Sequence, residues 1–188
     1  RLRHKASGKE VVAPPIGEDH YHVFLSHVWG TGQDQMRVIR QRLLEMVPGM
    51  RVFLDVEDLE DISDLEGYIR RSNCVVVYCS KGYFQSKNCM IELRASVKLG
   101  KRIQPLMDLE ASRGGLTRDE VCDQILAADA NYAKWGFDDD GPRGAELCAK
   151  LFERQPIEWN RIGAFQDVTM RMIAAEALGE ENVPGLAS

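Results

Sequence analysis

The chain has little of what metal or redox chemistry requires. Only four histidines occur in 188 residues, and no two of the five cysteines stand at Cys-x-x-Cys spacing, so no zinc constellation can be assembled. Three of those cysteines lie in or beside apolar strand or helix patterns, and buried reduced thiols in a cytosolic protein are expected. No apolar run reaches the ~18 residues of a membrane-spanning helix, and no signal-peptide pattern is visible. An excess of positive charge is missing as well. The net charge is −5, which argues against a general nucleic-acid or anionic-membrane binder. Gly30-x-Gly32 lacks the remaining glycine of a GxGxxG dinucleotide loop. There is no internal repeat and no low-complexity block.

What remains is an ordinary globular composition, 44% hydrophobic, sufficient for one domain with a substantial core. The chain opens on Arg1 and reads as a fragment of a longer protein. Residues 1–19 are basic and carry Pro14-Pro15 and Gly17, so a linker or arm outside the core is expected. The domain proper is expected over residues 20–179, with a tail at 180–188.

Strand-length apolar runs alternate with helical periodicity. Tyr21–Ser26 is the first strand, and His27–Gly32 reads as a loop before a helix whose stripe begins at Gln33. Arg51–Asp55 is the second strand, followed by the acidic loop Val56–Ile62. Ser63 and Glu66 form a Ser-x-x-Glu capping box for a helix to Arg71. Cys74–Cys79, apolar on both faces, reads as a central parallel strand. A helix from about Lys87 to Leu99 follows and carries Glu92 about one turn in, where the helix dipole favours an ionised carboxylate. Arg102–Met107 is a fourth strand, and Pro105 places it near an edge or leaves its pairing incomplete. Thr117 caps a helix at Arg118–Ala130, and Asp138–Pro142 is a turn. Ala145–Phe152 is a short helix and Pro156–Trp159 a fifth strand. A closing helix, Ala164–Leu178, is expected to point Phe165, Val168, Met172 and Ile173 inward.

Alternation of this kind builds a parallel sheet with helices on both faces and right-handed crossovers. Five strands fit a flavodoxin-like order, 2-1-3-4-5, whose switch point lies between the first and third strands. Those strands end at Ser26 and Ser80, so the loop from His27 and the helix of Glu92 face one crevice.

The boxes along the chain resemble those of the Toll/interleukin-1 receptor (TIR) domains. Tyr21-His22-Val23-Phe24-Leu25-Ser26-His27 is similar to the family's first box, and Phe53–Leu59 to its second strand and following loop. Ser72–Ser80 with Tyr83, Ser86 and Cys89-Met90-Ile91-Glu92-Leu93 is similar to the plant and bacterial pattern ending in Cys-x-x-Glu-Leu. Glu158-Trp159 resembles the weak third box. The resemblance spans roughly Tyr21 to Leu178 and departs from the family at Asn88, where an aromatic residue is common.

Many TIR domains cleave NAD⁺, releasing nicotinamide and ADP-ribose or a cyclic isomer, while others only assemble into signalling scaffolds. The resemblance implies that Glu92 is the catalytic carboxylate and that NAD⁺ is a substrate, with no resident cofactor and no metal. Candidate substrate contacts are Ser26, His27, Trp29, Asp55, Glu60, Ser80 and Cys89. Trp29 is a candidate for stacking on nicotinamide or adenine. Asp55 and Glu60 flank the acidic loop, where contact with ribose, contact with a neighbouring protomer and a plain solvated face all stay open. Expected partners are other TIR domains, as a homo-oligomer or filament, and the expected location is the cytoplasm. A non-catalytic TIR–TIR scaffold is the alternative reading; another flavodoxin-like nucleosidase is a third, by fold analogy alone.

Overall fold

The computed structural model describes residues 1–54, 64–137 and 140–179. Its elements in order are β1 (Tyr21–Ser26), α1 (Trp29–Met46), β2 (Val52–Leu54), α2 (Leu65–Arg70), β3 (Ser72–Cys79), α3 (Lys87–Lys98), β4 (Arg102–Asp108), α4 (Arg118–Ala128), α5 (Tyr132–Trp135), α6 (Gly144–Leu151), β5 (Ile157–Trp159) and α7 (Gly163–Leu178). The strands form one five-stranded parallel sheet in the order β2-β1-β3-β4-β5. This is the flavodoxin-like α/β arrangement that the alternation of elements requires.

Residue parity divides the core into two layers. Val23, Leu25, Val52, Leu54, Val76, Tyr78 and Leu106 turn to the face covered by α1 and α7. Phe24, Phe53, Val75, Val77, Cys79 and Ile103 turn to the opposite face, under α2, α3, α4 and α6. Ser26 shares the parity of Phe24 and therefore points to the layer of α3. Pro105 lies opposite Val77, whereas β5 pairs only with Leu106–Asp108, so the missing amide falls just before the last ladder begins. Thr117 caps α4, with Glu120 returning a bond to the Thr117 amide.

Several expectations are corrected. The arm at 1–19 is not outside the core, because Leu2, Val11 and Ala13 are buried in the layer of α1 and α7. Backbone bonds from Leu2 to Met46 and from Ala13 to Pro48 tie it beside the end of α1. The apolar residues there are too sparse for a periodic signal. Helix α1 starts at Trp29, not Gln33, since a Gly32 N–H to Val28 carbonyl bond closes its first turn. Gly32 is needed in that turn: a Cβ there would stand 3.0 Å from the Tyr78 ring. On α7 only Ile173 of the four expected inward residues is buried, and Phe165 and Val168 are 60% and 64% exposed. The helix instead meets the sheet through Met170, Ile173, Ala174 and Ala177, whose small side chains permit close approach. Cys74, Cys79 and Cys89 are buried free thiols, but Cys122 and Cys148 form a disulfide between α4 and α6. Residues Asp55, Glu60 and Ser63, the acidic loop 56–62 and part of the turn at 138–142 lie outside the described residues.

Candidate active site at the carboxyl edge of the sheet

The site forms where β1 and β3 end and where α1 and α3 begin. Helix α3 starts there because the Ser86 side chain caps it, accepting from the Cys89 amide at 3.4 Å. Met90 and Leu93 bury its apolar side, and Gly100 with φ +62° closes its far end. Glu92 is its sixth residue. That corrects the expected role of the dipole, which fades beyond the first turn. Tertiary partners hold the carboxylate instead.

Glu92 is 2% exposed. Ser26 Oγ donates to Glu92 Oε2 at 2.5 Å, and the Tyr83 hydroxyl lies 2.5 Å from the same Ser26 oxygen. An ionised carboxylate only accepts, so the serine proton points to Glu92 and the tyrosine proton points to Ser26. The Cys89 carbonyl, 3.3 Å from the Tyr83 oxygen, is an alternative acceptor for that tyrosine. Burial, with Cys89 and Glu92 nearby, holds the Tyr83 pKa well above the ordinary tyrosine value, while Ser26 pulls it down. The hydroxyl therefore stays a donor at any working pH.

Cys89 and His27 join the same wall. Both are buried, and Cys89 Sγ donates to the His27 carbonyl at 3.4 Å, tying α3 to the β1–α1 junction. Trp29, two residues after His27 in the first turn of α1, is 57% exposed. No side chain caps α1 and no acid occupies its first turn, so an anion can approach that end. Ser80 is engaged locally. It bonds Thr31 at 2.7 Å, and Thr31 donates to the Lys81 carbonyl at 3.0 Å. Asn88 is exposed on α3. The structure thus gathers Glu92, Ser26, Cys89 and His27, leaves Trp29 exposed at the start of α1 and gives Ser80 to the α1–β3 junction. Asp55 and Glu60 lie outside the described residues.

Sequence reasoning passed over Tyr83, although it stands in the matched pattern between the third strand and Ser86. It also missed the polar group beneath α1. Tyr78 donates to Asp108 at 2.5 Å, and Arg161 reaches the same oxygen through Nε at 3.0 Å and Nη2 at 2.7 Å. The Glu110 amide takes the other Asp108 oxygen at 2.9 Å. Asp108 ends an apolar strand, and that terminal acid was the one available signal. Among the described residues no group of three or more His, Cys, Asp or Glu side chains could hold a metal ion. No helix among them is long and apolar enough to cross a membrane.

A family model described as the TIR domain matches residues 23–140. Among solved structures, the TIR domains of the activated Roq1 resistosome that recognises the pathogen effector XopQ align at 20% identity and TM-score 0.55, covering 80% of this chain and 95% of that one. The TIR domain of the Toll-related receptor TRR-2 from Hydra magnipapillata aligns at 19% identity and TM-score 0.40, over 46% of this chain and 70% of that one. A TIR-STING receptor from C. gigas aligns at 18% identity and TM-score 0.45, over 58% and 34%. At these identities the likeness concerns the fold alone, and the Roq1 alignment carries it. No curated protein matches the sequence.

Proposed function

Since the chain belongs to the TIR-domain family, we propose that it is an NAD⁺ glycohydrolase, cleaving the bond between nicotinamide and ribose. The observation that carries this reading is the buried Glu92 carboxylate, oriented by Ser26 at the switch point between β1 and β3. Nicotinamide leaves as a neutral molecule, so no general acid has to protonate it. Positive charge then grows on the ribose as an oxocarbenium-like transition state develops. A fixed carboxylate at the ribose stabilises that charge where water is excluded. Attack by water gives ADP-ribose, and attack by an atom of the same nucleotide gives a cyclic isomer. The diphosphate would lie toward the uncapped start of α1. Concentrated protein incubated with NAD⁺ should release nicotinamide, detected by chromatography. Its complete absence overturns the reading in favour of a non-catalytic TIR–TIR scaffold.

Two substitutions probe the pocket. Tyr83→Phe removes the donor that fixes Ser26 and is expected to lower kcat about tenfold, the scale of one buried hydrogen bond. A pocket that does not need the serine oriented would leave kcat unchanged. Trp29→Ala removes an exposed ring and should leave the melting temperature nearly constant. If the ring stacks on the base, KM rises roughly 10-fold to 100-fold, as base–aromatic stacking of about 1–3 kcal/mol implies. An unaltered KM removes Trp29 from the site.

The scaffold role and the enzyme role are compatible. Ile162, Phe165, Val168 and Met172 leave an exposed apolar stripe along α7, suited to burial between copies. Self-association that completes the site predicts nicotinamide release per molecule rising with protein concentration. A flat dependence over a wide range dissociates activity from assembly. Signalling in the cytoplasm, in an immune or stress response, is the setting that fits an enzyme switched on by assembly.

A further inference from the structure

At the amino-terminal edge of the sheet, away from Glu92, a cavity of about 290 Å³ opens between the end of α3, the start of β4 and the end of α6. Lys101, Arg102, Lys150 and Arg154 line it, with Glu153 as its one acidic side chain. Glu92 lies on the same helix as its Val97 wall, about 8 Å up the axis at 1.5 Å per residue.

Two of these four cations are ion-paired with described carboxylates. Lys150 meets Glu153 at 3.5 Å, and Arg154 meets Glu176 at 2.9 Å. Lys101 has only a carbonyl, donating to that of Arg70 at 2.7 Å. Arg102 reaches the Ala177 carbonyl at 3.5 Å and the Cys74 thiol, and its Nε is buried with no hydrogen-bond partner among the described residues. The guanidinium lies near Cys74, whose thiol burial pushes up to about 11, so the counter-charge nearby is that of Glu176, already paired with Arg154. Burial, then Arg70, lowers the Lys101 pKa below the ordinary lysine value. The carboxyl ends of α3 and α6 face the same space and supply about half a negative charge each. That offsets one cation, not both of those without a carboxylate. Arg102 is half-buried, and a planar guanidinium offers several N–H donors in a geometry suited to an oxyanion.

We infer that this recess is a binding site for a phosphate-class oxyanion, gripped by Arg102 and Lys101 with Lys150 and Arg154 at the rim. The cavity has room for more than one phosphate group, so diphosphates and phosphate esters fit as well as orthophosphate. Pyrophosphate can meet Lys101, Arg102, Lys150 and Arg154 at once through its several oxygens, which a single carboxylate cannot.

Titration calorimetry of the whole chain, at fixed ionic strength, tests this with sodium orthophosphate, sodium pyrophosphate and ADP, and with sodium acetate as the carboxylate control. Pyrophosphate is expected to bind saturably and acetate not at all. Binding of ADP as tightly as pyrophosphate identifies phosphate esters as the ligand source. Binding of the two inorganic anions alone identifies free phosphate. Arg102→Gln should weaken pyrophosphate by about tenfold or more, the scale of a charge-assisted bond. Because Arg102 begins a core strand, Lys101→Gln/Lys150→Gln on the more exposed wall provides a second variant, expected to weaken binding severalfold with an unchanged melt. Absence of saturable phosphate binding at millimolar concentration overturns the site. So does pyrophosphate affinity indifferent to the Lys101→Gln/Lys150→Gln pair, since that places the anion elsewhere, such as the start of α1.

Discussion

Glu92→Gln is expected to reduce nicotinamide release by about 10³-fold, with a melting temperature equal to or above that of the parent chain. The amide keeps the shape of the side chain and an oxygen that can accept from Ser26 Oγ, so the geometry of the site survives. What is lost is the negative charge facing the oxocarbenium-like ribose. Removing a single preorganised electrostatic partner typically costs 10²–10³ in kcat, and a full charge in a site 2% exposed belongs at the upper end. Stability should move the other way or not at all, because a buried carboxylate is held at a desolvation cost that an amide avoids. Chromatography for nicotinamide beside a thermal melt reads both effects. A variant retaining a tenth of the parent rate would remove Glu92 from the chemistry. A variant that loses activity by unfolding would leave the melt as the witness.

Asp108→Ala should produce the largest loss of stability of any single polar substitution in the described fold, about 3 kcal/mol. The carboxylate is 4% exposed and receives four bonds, from Tyr78, from two Arg161 nitrogens and from the Glu110 amide. Deleting it strands the Arg161 guanidinium, whose side chain is 17% exposed, and leaves a buried phenol without its acceptor. Breaking one side of a buried pair costs about 3–5 kcal/mol, chiefly from the charge left behind. For a chain of this length that lowers the melting temperature by roughly 10 °C. Tyr78→Phe removes one bond and should cost nearer 1 kcal/mol. The double variant should fall short of the sum, since both changes act on one network. Strict additivity would show that Tyr78 and Asp108 do not couple. The network lies under the first turn of α1, where Gly32 rests on the Tyr78 ring.

Most of the architecture was legible because its signals are local. Val75, Val76 and Val77 form a run that only a strand buried on both faces accommodates, and they sit at 0% exposure in β3. The alternation of such runs with periodic helices dictates parallel crossovers and hence the sheet order. Thr117 and Glu120 announced the start of α4 by a bond pair made within four residues. The misread elements are those where two local answers tie. Phe165, Val168 and Met172 make as good a helical stripe as Met170, Ile173 and Ala177, and only the space above the sheet chooses between them. Leu2 and Val11 carry no periodicity, so their burial follows from backbone bonds to a distant segment.

The sequence by itself determined the fold class, the family frame and the position of Glu92 at the mouth of the central strands. Strand parity, helix caps and box spacing are properties of neighbouring residues, and the chain carries them wherever it goes. The tertiary structure alone decided what surrounds that carboxylate. Ser26 lies 66 positions from Glu92, and Tyr83 lies 57 from Ser26. No local rule links residues so far apart; the register of β1 against β3 and the packing of α3 do. The same reason hid Arg102 and its neighbours, whose charges meet only after α3, β4 and α6 have folded together.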